Sequence, residues 1–242
     1  MFLKFKFYKY VSNFNMKEEA IHSKYFHSFR VMKLQEKYAK ALGFNKKDIK
    51  LAKIIGLLHD IGRFEQYKVY KTYDDQMSTD HALLGVKILF EDNLIKKFVK
   101  DEKDYELIKF AILNHNKYQI DKLSDERFIK HAKLIRDTDK IDIFYVIGYL
   151  KDYDHKFDNS KVNPKIVKNI LNHEIANYKE IRTNNDFLLL KFAAAFDLNY
   201  DLAAKELREN FKHFYEKIAK DDTFEKLYDE VVSYLIERER KC

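Results

Sequence analysis

Along residues 24 to 42 the apolar side chains Phe26, Phe29, Val31, Met32, Leu34, Tyr38 and Leu42 recur at mixed three- and four-residue spacings. That spacing lays one apolar stripe along an α-helix, and Gly43 stands where a helix C-terminus favours glycine. A second helix is predicted from the N-cap residue Asn45 through Ile49, Ala52, Ile54, Ile55, Leu57 and Leu58, with its stop at Gly62. Residues 63 to 77 are polar and read as a connection. Ser78, Thr79 and Asp80 then offer a cap for a helix carrying Ala82, Leu83, Val86, Ile88 and Leu89. Residues 101 to 114 predict a further helix ending near His115, and Ser124 caps a long one through Phe128, Leu134, Ile135, Ile141 and Tyr145. Asn163 followed by Pro164 is a cap with proline at the first helical position, which opens another set of helices.

Composition agrees with this reading. Five glycines and one proline leave little of the turn vocabulary that a many-stranded β fold needs, so the expected class is all-α. Hydrophobic residues at 46% and charged residues at 35% suit a folded globular chain, unlike a disordered tail. The segment from Met1 to Tyr10 alternates apolar and basic residues, so it lacks the apolar h-region of a signal peptide; it is read as an upstream extension or a short strand. No apolar run approaches the roughly 18 to 20 residues that span a bilayer, so no membrane partner is expected. The single cysteine, Cys242, cannot form an intramolecular disulfide, and a cytoplasmic location is the expectation. The net charge of +7 favours anionic ligands, but the basic residues are interleaved with 39 acidic ones. Small phosphorylated molecules therefore fit, and nucleic acid is not favoured.

The chemistry-bearing feature is an ordered series: His27, the doublet His59-Asp60, His81, His115 and Asp139, each on or beside a predicted helix. Imidazoles with carboxylates suit Mn, Fe, Co, Ni or Zn, whereas an all-oxygen set would suit Mg or Ca. A single histidine near a helix end is more often a capping or surface group than a ligand, so the order of the set carries the argument. His22, His131, His155, His173 and His213 lack that support and read as structural or surface residues. A phosphate loop, a G-x-G-x-x-G, a G-x-S-x-G elbow and paired zinc cysteines are all missing from the sequence.

The flanks of these residues resemble the HD superfamily of metal-dependent phosphohydrolases: YFHSFRV around His27, GLLHDIGRF at 56 to 64, DHALLGVKIL at 80 to 89, ILNHN at 112 to 116 and IRDTDKID at 135 to 142. The resemblance implies an HD-domain helical bundle at 20 to 154, after an extension at 1 to 19. The remaining helices, 155 to 242, would pack on the same core, act as a lid or form a homo-oligomer contact. It also implies that His27, His59, Asp60 and Asp139 hold one divalent transition metal, and that His81 and His115 complete a second site bridged by Asp60. Asp139 matches the family's closing pattern better than its rivals Asp137 and Asp142. The implied reaction is hydrolysis of a phosphoester, a nucleotide or a related small molecule, by a metal-activated hydroxide, with Asp60 at the centre and Arg63 and Lys140 on the phosphate oxygens. A helix-dipole role for Arg63 and a solvent-exposed Lys140 are the plainer alternatives. Two further readings stand beside this one: a diiron oxygenase with the same ligand set, and a non-catalytic scaffold that binds a nucleotide or a partner.

Overall fold

The computed structural model describes residues 2–150, 157–218 and 221–241, and no strand occurs among them. It divides into two compact units, residues 1–138 and 139–242. The expected boundary at 154/155 and His155 both lie outside the described residues.

The first unit opens with α1 (Phe2–Val11). The alternating segment is therefore neither a strand nor a loose extension. At helical period Phe7 and Val11 fall on one face and are fully buried, with Leu3, Tyr10 and Phe14 packed beside them. The Phe7 ring meets Phe29 at 5.6 Å and Phe64 at 5.8 Å between centroids, both edge to face.

Helix α2 (Glu19–Ala41) packs along α3 (Lys46–Leu58), and Gly43, at φ +71°, makes the turn between them. Asn45 caps α3, its side chain accepting from the Asp48 amide at 2.9 Å. Gly56 lets α3 lie close against α2: a β-carbon there would stand 2.7 Å from Gln35 Cγ and 3.1 Å from the Met32 backbone.

The stop expected at Gly62 comes earlier. Helix α3 ends at Leu58, and α4 (Ile61–Tyr70) begins two residues after His59, so the doublet occupies a joint between helices. Half of the polar connection is thus helical, since Ile61 and Phe64 are buried and Tyr67 packs beside them. Gly62 serves close approach instead: a β-carbon on it would overlap the His81 carbonyl oxygen and stand 2.6 Å from the Gly85 amide nitrogen. Helix α5 (His81–Val86) can therefore lie against α4, and Asp80 caps it by accepting from the amides of Ala82 at 2.8 Å and Leu83 at 3.0 Å. Helix α6 (Tyr105–Asn114) follows, packed on α3 and α5. The long helix α7 (Glu126–Tyr145) is capped by Asp125 instead of Ser124.

The second unit takes in the end of α7 and then α8 (Pro164–Leu171), α9 (Asn184–Ala194), α10 (Ala204–Lys217) and α11 (Asp222–Glu239). Asn163 caps α8 as its sequence predicts, accepting from the Lys165 amide at 3.0 Å. The core of this unit is aromatic, with the Phe192 ring 5.0 Å from Phe211 and 5.7 Å from Phe224.

Candidate metal centre

Five helices of the first unit bring five of the six expected ligands to one place. His27 sits in the middle of α2, His59 and Asp60 at the α3–α4 joint, His81 at the start of α5, and His115 just past the end of α6. All five are buried, and their polar atoms converge. Asp60 is the centre: its Oδ2 lies 3.3 Å from His27 Nε2 and 3.6 Å from His59 Nε2, and its Oδ1 lies 3.4 Å from His81 Nε2 and 3.7 Å from His115 Nε2. The histidines face one another in the same pairs, Nε2 to Nε2, at 3.2 Å for His27 with His59 and 2.9 Å for His81 with His115.

The far side of three imidazoles is fixed by hydrogen bonds. His59 Nδ1 donates to the Gly56 carbonyl at 2.9 Å, His115 Nδ1 to the Ile112 carbonyl at 2.6 Å, and His81 Nδ1 to Asp75 Oδ2 at 2.7 Å. In a neutral imidazole a proton on Nδ1 leaves a lone pair on Nε2. In the His81–His115 pair, where both Nδ1 protons are so held, two lone pairs face each other at 2.9 Å and repel unless a cation lies between or beside them. The donor set, imidazole nitrogens beside a buried carboxylate, therefore fits divalent metal. His59, Asp60 and His115 offer atoms that all lie within 4.8 Å of one another, and so do Asp75, Asp80 and His81. In the second group Asp75 already serves His81, and Asp80 caps α5, so it supports the first group and is not a separate centre.

Electrostatics agree. Burial pushes the Asp60 carboxyl up, but the Lys24 ammonium and the surrounding imidazoles outweigh it and hold the group well below the usual carboxylate range. Burial takes His81 down to about 4, only partly opposed by Asp75, so its ring is neutral near pH 7 and able to ligate.

Several supporting residues were not visible in the sequence. Lys24, one turn before His27 on α2, donates to Asp60 Oδ2 at 2.6 Å and lies over the Tyr73 ring. Asp75 takes His81 on one oxygen and, on the other, Arg63 Nη1 and Gln66 Nε2, each at 2.8 Å. Buried Arg136 on α7 donates to the carbonyls of Asn114 at 2.8 Å and Lys117 at 2.6 Å, which pins the chain on both sides of His115. Lys24 has the helical spacing i to i+3 from His27 as its only sequence signal. Asp75 and Arg136 have none, because their partners are set by tertiary folding.

The two cations expected on phosphate have protein partners. Arg63 Nη1 donates to the Tyr73 carbonyl, to Gln66 Oε1 at 2.9 Å and to Asp75. Lys140, in the second unit, pairs with Asp197 at 2.5 Å. Asp139 is half-buried on α7, one residue past Thr138 and one helical turn beyond Ile135, whose side chain lies in the first core. Its rivals Asp137 and Asp142 are buried.

An all-helical domain with two histidine pairs about one buried carboxylate defines a class: helical proteins whose His/Asp clusters can hold divalent metal. The model of the HD domain family matches residues 25–143, and the chain thus carries an HD domain and belongs by it to the HD superfamily. No curated protein and no solved structure matches the chain. No helix among the described residues is long and apolar enough to cross a membrane.

Proposed function

We propose that the protein is a metal-dependent phosphohydrolase acting on a small phosphoester, a nucleotide or a related phosphorylated molecule. The observation that carries the reading is the arrangement of four imidazole Nε2 atoms in two pairs around the two oxygens of Asp60. Two divalent cations held there would supply positive charge to phosphate oxygens and bring the acidity of a water towards neutral pH. The protein's part is to orient. Gly56, Ile112 and Asp75 hold the three Nδ1 protons, which keeps Nε2 of His59, His115 and His81 available. Asp60 would serve both histidine pairs, and the resemblance to the family adds Asp139 as the closing carboxylate. Lys24 and Arg63, whose Nζ and Nε lie 2.6 and 3.6 Å from the two oxygens of Asp60, are in this reading the cations that meet phosphate oxygens, while Lys140 serves Asp197.

The test is elemental analysis of protein purified without chelator or added metal, joined to a phosphate-release screen over nucleotides. About two Mn, Co, Ni or Zn ions per chain with turnover, both abolished in Asp60→Asn with helical content kept, is the expected result. Two irons with oxygen consumption and no phosphate release would replace the reading with the oxidative one. A fully active Asp60→Asn protein would end it.

A further inference from the structure

On the first unit, away from the histidine cluster, α1, α3 and the segment from Lys96 to Asp104 enclose a groove of about 410 Å³. Its floor is apolar, made by Leu51, Ile54, Phe98 and Val99, all buried. Six lysines line it, Lys6, Lys47, Lys50, Lys96, Lys97 and Lys100, against two acids, Asp101 and Asp104. Both acids are engaged by Lys47, at 3.5 and 2.9 Å, and Lys6 donates to the Lys97 carbonyl at 2.5 Å. Lys50, Lys96, Lys97 and Lys100 are exposed and make no ion pair among the described residues. Phe2 and Phe5 stand out from the adjoining helix, 81% and 64% exposed, one helical turn apart and flanked by Lys4 and Lys6.

We propose that this face docks on an anionic phospholipid bilayer, with Phe2 and Phe5 entering the acyl boundary and the lysines meeting headgroup phosphates. Charge selects the occupant. A second copy of the chain would bring an identical ring of lysines against this one, so self-association here is opposed. Phe2 borders the groove and Phe5 lies beyond it, and both rings are largely exposed. This suits a fluid surface that closes around them better than a rigid acidic protein or the stacked bases of a nucleic acid. An interfacial contact requires no spanning helix: it takes aromatic side chains at headgroup depth together with a basic patch, and both occur here. Each lysine near an anionic surface strengthens binding about fivefold, so the four unpaired ones are enough to make the contact depend on lipid charge and on salt.

The experiment is cosedimentation of the full chain with vesicles of phosphatidylcholine alone and of phosphatidylcholine with about one quarter phosphatidylserine. The expected result is binding to the charged vesicles only, lost at high salt. Binding should weaken at least about a hundredfold in a Lys50→Glu, Lys96→Glu, Lys100→Glu variant. Phe2→Ser with Phe5→Ser should weaken it while circular dichroism stays unchanged, because both rings are exposed in the folded chain. The control Lys161→Glu, Lys205→Glu, Lys226→Glu makes the same change in net charge with exposed lysines of the second unit. An equal loss in that control would overturn the proposal, as would no binding to charged vesicles at low salt. A dimer in solution that the Phe2 and Phe5 changes disperse, or tighter binding to single-stranded nucleic acid than to vesicles, would overturn it too.

Discussion

Replacing Asp75 by asparagine isolates the job of one carboxylate behind the candidate metal ligands. In the native chain Oδ2 of Asp75 accepts from His81 Nδ1, and Oδ1 accepts from Arg63 Nη1 and Gln66 Nε2. All three partners are donors. An asparagine offers one oxygen and one amide NH2, so whichever way it turns, the amide meets a donor on one side. Turning the NH2 to His81 removes the bond that holds the proton on Nδ1; turning it to Arg63 loosens the segment that carries Asp75. A charge-assisted hydrogen bond contributes about 1.5 to 3 kcal/mol, which agrees with the roughly 10- to 100-fold loss of affinity usual when the partner of a ligating histidine is changed. The loss should fall on one half of the centre. His59 and His115 take their Nδ1 bonds from backbone carbonyls, and His27 lies on the other side of Asp60. Isothermal titration of metal-free protein with Co²⁺ or Mn²⁺ should therefore resolve one site with near-native affinity and one weakened about 10- to 100-fold. Equal weakening of both sites, or no change in either, would refute this division of labour.

Gly62→Ala should destabilise the first unit by about 1 to 3 kcal/mol or more, because the new methyl overlaps the His81 carbonyl; a urea midpoint shift without change in slope measures it. Asp80→Ala removes the acceptor for the Ala82 and Leu83 amides and should cost about 1 kcal/mol in the same assay. His131 is buried, and its pKa is pushed from 6.5 down to about 4 mainly by that burial, only partly opposed by Asp48. The unfolded chain binds this proton first, so the contribution is neutral above pH 6.5 and stability falls as pH drops from 6.5 towards 4, by up to about 3 kcal/mol. His131→Leu should flatten the urea midpoint across that window, and an unchanged slope would contradict the assignment.

The helices that bear ligands were legible because each joins an apolar stripe to a local end signal, as Asn45 does for α3 and Asp80 for α5. The histidines and Asp60 were legible through their order and flanks. The break at His59-Asp60 was not, because the apolar pattern runs on through Ile61 and Phe64 and hides the joint; only the crowding at Gly62 shows why the chain re-aims there. Helix α1 was misread because alternating Phe and Lys also satisfies a strand period, and the choice is made by partners far along the chain, Phe29 and Phe64. Lys24, Asp75 and Arg136 carry no local pattern that separates them from any surface charge. Arg63 and Lys140 were expected on phosphate from position and charge; in the folded chain Arg63 donates to Asp75 and lies 3.6 Å from Asp60 Oδ1, while Lys140 pairs with Asp197.

The packing of α1 has a consequence for where this domain can be cut. The region matching the HD family begins at residue 25, yet Phe7 and Val11 are wholly enclosed, and Phe64, the neighbour of Arg63, has rings of Phe7, Tyr10 and Phe14 around it. Excising residues 25–143 would strip one wall from that aromatic nest and forfeit about 4 to 5 kcal/mol for Phe7 and Val11 alone. What is shared with relatives is thus smaller than what must fold together, and a minimal fragment trimmed to the family's borders would expose to water the side chains that support the joint beneath Asp60.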